Sequence, residues 1–219
     1  MCGRIANMVP ADAMARLFAA TPANNLPQVP NYNICPTTQI HVVQNDHDQR
    51  RLVAMRWGFL PRWYKTPSDG PLLINARAET IAEKPAFREA ARARRCLIPA
   101  SGFYEWTKTS EGERLPWYVS RQDGTPLVMA GIWQNWTLEG EVQATCAVVT
   151  TAASGPMADI HHRMPVILSP EDWALWLGEA GHGAARLMQA APEDTLAFHR
   201  VDQAVNSNRA SGPSLIEPI

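Results

Sequence analysis

Cys2 has more chemistry to offer than any other residue in this chain. If Met1 is removed, which the small side chain at position 2 permits, Cys2 carries a free α-amine beside its thiol, so one residue holds two nucleophiles. The amine titrates near ~8 and the thiol near ~8.5, so modest shifts leave both partly deprotonated at neutral pH. Such a pair suits attack on an amide as an N-terminal nucleophile. It also suits condensation with an aldehyde, in which the amine forms an imine and the thiol closes it to a five-membered thiazolidine. Taken alone, a cysteine in second position is more often incidental, so the rest of the chain has to decide.

Candidate partners stand far away in sequence. Glu105 lies between Tyr104 and Trp106 in Gly102-Phe103-Tyr104-Glu105-Trp106. A carboxylate among aromatics is open to desolvation, which fits it for proton transfer, while strand alternation pointing it outward is an equal alternative. His161 and His162 are adjacent, and on an extended segment they face opposite ways, so at most one points into a given site. Either is an acid-base candidate or an ordinary loop histidine. Asn75-Ala76-Arg77-Ala78-Glu79-Thr80 puts polar residues at a strand end, suited to a site or to capping the next helix, with Thr80 as N-cap. The loop from Trp57 to Tyr64 sets aromatics beside glycine and proline, a core lid or a platform for stacked bases. Arg88, Arg92, Arg94 and Arg95 form the densest basic run, either a solvated face or a phosphate contact.

The elements that must bring these residues together are short. Met14, Leu17 and Phe18 recur at helical spacing over 12–20, followed by an ordered Pro- and Asn-rich loop from Thr21 to Pro36. Residues 40–43 and 52–59 predict a hairpin across the polar turn 44–51. A strand is expected at 72–74, then a helical pattern over 81–95 interrupted at Pro85. Strands follow at 96–99, from 102, and at 116–120, 127–133 and 142–151, each rich in β-branched or aromatic residues. A polar loop at 158–165 precedes a strand at 166–168. Ser169-Pro170-Glu171-Asp172 reads as a helix start, with Trp173, Trp176 and Leu177 on its buried face. A short helix near 184–190, a strand at 198–201 and a polar loop-like tail from Asn206 complete the reading.

Composition narrows the class. At 219 residues the chain can bury a sizeable core, and 46% apolar with 19% charged residues is globular. A net charge of −1 argues against bulk attraction to duplex nucleic acid or anionic membrane, so a nucleic-acid site must be a local basic patch. No basic segment followed by an apolar run opens the chain, and the stretch from Leu127 to Trp133 is too short to span a bilayer, so a cytoplasmic location is expected. Cys2, Cys35, Cys96 and Cys146 are widely spaced without a Cys-x-x-Cys, which leaves free thiols as the default and writes no metal site.

Together, Met-Cys-Gly-Arg at the start, Asn-Ala-Arg-Ala-Glu-Thr at 75–80, Gly-Phe-Tyr-Glu-Trp at 102–106 and Ile-His-His-Arg-Met-Pro at 160–165 resemble the SRAP family. These are the SOS response-associated peptidases, also described as abasic-site processing proteins. The resemblance runs in order across nearly the whole chain. It implies a single α+β SRAP domain over residues 1–219, with an antiparallel barrel-like β core flanked by short helices. It implies an enzyme that binds single-stranded DNA and crosslinks covalently to abasic sites through Cys2, protecting the lesion in the DNA damage response. Self-processing peptidase and weak lyase activities are further implications.

By motif, the resemblance assigns Cys2, Asn75, Glu105 and His161 to catalysis, with His162 at the variable position after the catalytic histidine. It suggests Arg4 and Arg77 for phosphates, and Pro36, Trp63, Trp106 and Thr150 along the strand path. No cofactor or metal is expected. The expected partner is single-stranded DNA containing abasic sites, bound by a monomer that associates with the nucleoid when on DNA. The alternatives are an N-terminal nucleophile glutamine amidotransferase, which also begins Met-Cys-Gly, and a non-catalytic single-stranded DNA-binding module.

Overall fold

A computed structural model describes residues 2–219, and strands make up most of its regular structure. In chain order the elements are β1 (Ile5–Asn7), α1 (Ala11–Phe18), β2 (Thr21–Pro22), β3 (Asn31–Ile34), β4 (Gln39–Asp46), β5 (Gln49–Trp57), β6 (Asn75–Arg77), α2 (Arg88–Ala93), β7 (Arg95–Ala100) and β8 (Gly102–Lys108). Then come β9 (Arg114–Arg121), β10 (Leu127–Leu138), β11 (Glu141–Ala152), α3 (Pro156–Ile160), β12 (Arg163–Pro165), α4 (Trp173–Leu177) and β13 (Leu196–Arg200), with short 3-10 turns between and after them.

The larger sheet runs β12-β11-β10-β7-β4-β5-β2, and a parallel pairing of Arg56 and Trp57 with Thr145 and Cys146 joins β5 back to β11. That closure turns β11-β10-β7-β4-β5 into a ring, which removes the open edges these strands would otherwise present. The smaller sheet is β13-β9-β8-β1-β3. The expected α+β class with a barrel-like β core and short flanking helices is thus the architecture observed.

β11 organises the larger sheet because both of its edges are occupied from Thr145 onward. β10 and β5 both pair at Thr145 and Cys146, hence on opposite edges, and further along β6 and β12 both pair at Thr150. Its run from Thr145 to Thr151 is buried at every position, as a strand covered on both faces must be. β6 begins at Asn75 and β12 follows His161 by two residues, so one strand carries both site segments on its two flanks.

Alternation sorts the core. Val43, Leu97, Val128, Ala147 and Val149 face Met14 and Phe18 of α1, Phe87 and Ala90 about α2, and Trp173 and Trp176 of α4. Val42, Ile98, Met129, Cys146 and Val148 face the other way, toward Ile5, Phe103 and Val119 of the smaller sheet, and Cys2 is buried among them.

Several local expectations are corrected. The hairpin turn is only His47 and Asp48, both with positive φ (50° and 63°), because β4 and β5 stay paired out to Asp46 and Gln49. The strand expected at 72–74 starts at Asn75, with Leu73 making one bridge to Phe59. Of the 81–95 pattern only Arg88–Ala93 is helical, and Arg95 already belongs to β7; Pro85 leaves the preceding stretch as turns. Thr80 accepts from the Glu83 and Lys84 N–H groups through its backbone carbonyl, not through a capping side chain. The polar loop before Pro165 holds α3, and pairing with β11 starts at Arg163, earlier than the strand placed at 166–168. The tail from Asn206 folds back and buries Leu215.

Candidate active site

The register between β1 and β8 brings residue 2 to residue 105. Ile5 pairs with Phe103 and Ala6 with Gly102, and the Tyr104 N–H donates to the Arg4 carbonyl (2.9 Å), so continuing outward sets Gly3 opposite Glu105. Gly102 is required for this approach. A Cβ there would lie 2.4 Å from the Tyr118 ring and 2.6 Å from the Val119 carbonyl oxygen.

Alternation along β8 then decides the direction of Glu105. It shares a face with Phe103 and is 3% exposed, turned in between the sheets, while Tyr104 and Trp106 face the other side. Of the two orientations left open by the sequence, the inward one holds.

Cys2 is 0% exposed. Burial raises its thiol well above the usual value, and the Glu105 carboxylate pushes it the same way, so the neutral thiol is the resting form. Asn75 closes the arrangement: its Nδ2 donates to the Cys2 carbonyl at 2.9 Å, across 73 residues of sequence. Among the described residues the buried Asn75 Oδ1 has no hydrogen-bond partner, which suits it to accept from an incoming donor. The expected loss of Met1 concerns a residue outside the described ones.

His161 is the residue that ends α3. The Arg163 N–H donates to its Nδ1 (3.0 Å), which leaves the ring proton of the neutral imidazole on Nε2. The Arg163 carbonyl oxygen sits 3.1 Å from the same Nδ1, ready to accept a proton-bearing nitrogen if the ring becomes cationic. One backbone residue therefore serves the imidazole in either state. The His162 ring stacks on His161 (centroids 4.3 Å apart), and its neighbour's charge together with Arg163 and Arg77 depresses its pKa.

Arg163 is itself tied down. Its guanidinium donates to both Glu79 carboxylate oxygens (2.7 and 2.9 Å) and to the Thr150 carbonyl (2.7 Å). The hydrogen bonds hold the Glu79 carboxyl down at about 2. Glu79 follows β6 and Arg163 opens β12, so this pair links the segment bearing Asn75 to the segment bearing His161. Neither residue was singled out in the sequence, where each stood only as a member of its motif.

An open cleft of about 460 Å³ lies over this centre, lined by Gly3, Arg4, Glu105, Trp106, Lys108, Arg114, His161 and Asn206. Lys108 and Arg114 are directly opposite on β8 and β9, an arrangement that repels unless an anion lies between them. The Arg114 guanidinium sits 4.9 Å from the Trp106 ring centroid and that of Arg4 5.9 Å. Arg4 donates to Asn33 Oδ1 (2.6 Å) and the Val205 carbonyl, and Trp106 Nε1 donates to Asn206 Oδ1 (2.6 Å), so the tail holds one wall of the cleft. Cross-strand alternation out from Trp106, two residues before Lys108 on the same face of β8, is the signal that would have reached Lys108 and its partner Arg114; for Asn206 there was none.

The remaining expected residues are spread more widely. Arg77 is exposed at the end of β6, near enough to His162 to affect its charge. Pro36 is half-buried in the turn between β3 and β4, and Trp63 is 59% exposed against Tyr64. None of the three lines the cleft. Thr150 is fully buried, with its Oγ1 3.3 Å from Arg163, so it supports that guanidinium from behind and has no surface to offer a strand. Among the described residues no cluster of three His, Cys, Asp or Glu could hold a metal ion, and no helix is long and apolar enough to cross a membrane.

A family model described as SOS response associated peptidase (SRAP) matches residues 1–208. The chain is 38% identical over 192 residues to the abasic site processing protein YoqW of Bacillus subtilis, covering 86% of each. It is 30% identical over 227 residues to the abasic site processing protein YedK of Escherichia coli, covering all of both. A crystal structure of a protein from Bacteroides thetaiotaomicron superposes with a TM-score of 0.86 over the full length of both chains at 23% identity, a likeness of fold.

Proposed function

The chain belongs to the SRAP family, and on that footing we propose that it processes abasic sites, capturing the lesion in single-stranded DNA as a covalent adduct of Cys2. One observation carries the reading. Cys2, Asn75 and Glu105, from three distant parts of the chain, converge at one buried point, beneath a cationic cleft that also admits His161.

The chemistry follows from these groups. With Met1 removed, the Cys2 nitrogen attacks the C1′ aldehyde of the ring-opened sugar, forming a carbinolamine. His161 Nε2 supplies the proton with which water departs, leaving an imine. The thiol sulfur then adds to C1′ while its proton moves to the nitrogen, giving a thiazolidine with net loss of one water. Because burial keeps the thiol neutral, the amine acts first and the sulfur second. Glu105 orients the amine and carries its proton, and Asn75 fixes the residue-2 carbonyl. The same imine supports slow β-elimination, a lyase side activity.

Arg4, Lys108 and Arg114 suit the phosphates of a strand beside the lesion, and Arg77, Pro36 and Trp63 extend its path. A single strand gives up its sugar without base-pair disruption, and a near-neutral chain whose positive charge here is confined to a narrow cleft suits it better than a duplex. This makes the protein DNA-associated while it works.

Incubation of the purified protein with single-stranded oligonucleotides, with and without one abasic site, followed by a denaturing gel, tests the reading. A heat-stable band shift is expected only with the abasic site, absent for Cys2→Ala and heat-labile for Cys2→Ser, whose oxazolidine is weaker. Glutaminase activity with no adduct would replace this reading by the amidotransferase one, and DNA binding indifferent to Cys2→Ala with no adduct by the passive-reader one.

A further inference from the structure

A second concave site of about 600 Å³ lies on the helical side of the molecule, bounded by α2, α4 and the 3-10 turn at Ala184–Leu187, and it shares no lining residue with the cleft at Glu105. Its floor is apolar, from Ile81, Ala91, Ala184 and Met188. Its rim is basic. Arg88 and Arg92 stand one turn apart on the same face of α2, and among the described residues neither makes an ion pair or a side-chain hydrogen bond. Like charges at that spacing repel, and an anion between them removes the repulsion. Glu89 does not supply it, since it is engaged by Arg94 (2.9 Å) and Arg62 (3.4 Å). Arg95 adds a fixed positive wall, its guanidinium donating to the Ala91 and Arg92 carbonyls at 3.0 and 2.8 Å.

The occupant must therefore bring negative charge and an apolar group. A nucleic-acid strand fits poorly, because the one Trp, Tyr or Phe here, Trp176, is buried with Arg95 over its ring at 5.9 Å, and the only exposed ring of the lining is the single small imidazole of His182, too little for a run of stacked bases. A floor of aliphatic side chains of this size instead suits one or two apolar side chains of a peptide. We propose that this cleft binds an acidic peptide segment of a partner protein, with an apolar side chain on the floor and carboxylates at Arg88 and Arg92. The charge run of α2, unused by the abasic-site chemistry, thereby has a ligand of its own.

The test uses the full chain and a fluorescein-labelled peptide, Asp-Glu-Asp-Leu-Phe, followed by fluorescence anisotropy. Saturable binding is expected, weakened about tenfold or more by the exposed double change Arg88→Glu with Arg92→Glu and weakened by added salt. The same variant, its fold checked by circular dichroism, keeps its crosslinking to abasic DNA, which separates this site from the one above. The proposal is overturned if no saturable binding occurs. It is equally overturned if Lys-Lys-Lys-Leu-Phe or Asp-Glu-Asp-Ser-Ser binds as well, or if an oligo-dT strand displaces the peptide at equal concentration. Self-association of the chain that depends on these arginines would assign the cleft to a second copy instead.

Discussion

Glu105 faces two demands at once, as the carboxylate nearest the nucleophile and as a charge that opposes ionisation of the Cys2 thiol. Glu105→Gln separates them. Without the carboxylate the thiol should ionise at lower pH than in the parent, yet still above an exposed thiol, because burial is the larger cause. Iodoacetamide labelling of Cys2 against pH, read by peptide mass, should move to lower pH, while crosslinking slows by ~10²–10⁴ as the proton carrier is lost. A labelling profile that stays put would mean the carboxylate does not act on the sulfur. Glu79 works at one remove. It holds Arg163, and Arg163 presents its N–H to His161, so Glu79→Ala leaves a largely buried guanidinium half-satisfied. A loss of about 1–2 kcal/mol in denaturant unfolding is expected, modest because Glu79 is itself half-exposed. An imidazole no longer fixed should also displace the pH profile of crosslinking; Glu79→Gln, which keeps one acceptor, should recover part of both. A pH profile identical to the parent's would reduce the pair to a plain structural tie.

At the scale of elements, β8 depends on its first residue. Gly102→Ala drives a methyl into the Tyr118 ring and the Val119 carbonyl, and backbone cannot yield as a side chain can. A destabilisation of at least about 1–3 kcal/mol is expected, with crosslinking falling further than stability explains, because Glu105 lies on the strand that moves. Full activity in the folded variant would show that β8 has room to adjust. The same strand shows what could be read in advance. Its start was legible because Phe103, Tyr104 and Trp106 are strand formers, and the buried faces of β7, β10 and β11 were legible from their apolar runs. The inward turn of Glu105 was not, since alternation gives two faces without saying which is core; the pairing of Ile5 with Phe103 decides it. The β4–β5 turn was overestimated because Gln44, Asn45 and Asp46 are polar, although their ladder continues past the core into solvent. α3 was missed because five residues give too few turns for a period, and the chain before Arg88 was drawn as helix because Pro85 marks only a break. The support residues Glu79, Arg163 and Asn206 act through long-range partners, which no local pattern encodes.

Over the whole molecule, proton binding sets how stability varies with acidity, and a buried imidazole and an arginine-bound carboxylate act in successive windows. His41 is 2% exposed, its Nδ1 lies 3.4 Å from the Asn7 amide, and burial lowers its pKa from 6.5 to about 4. The unfolded chain therefore takes up a proton on His41 below about 6.5 that the folded chain refuses until about 4. Stability is full above 6.5 and declines as pH falls through that interval, by up to about 3 kcal/mol, then levels off. Glu79 loses its contribution in the same direction, at lower pH. Its folded pKa of about 2 lies below the ordinary 4.5, so its contribution is complete above 4.5 and is lost as pH falls toward 2. Urea unfolding at a series of pH values should thus show a first decline between about 6.5 and 4 and a second below 4.5. His41→Gln should flatten the first and leave the second, whereas Glu79→Gln should leave the first and shrink the second, to which Asp12, Asp69, Glu89 and Asp123, all depressed by their hydrogen bonds, also contribute. A first decline that persists in His41→Gln would assign it to other groups, and the buried imidazole would then titrate alike in the folded and unfolded chains.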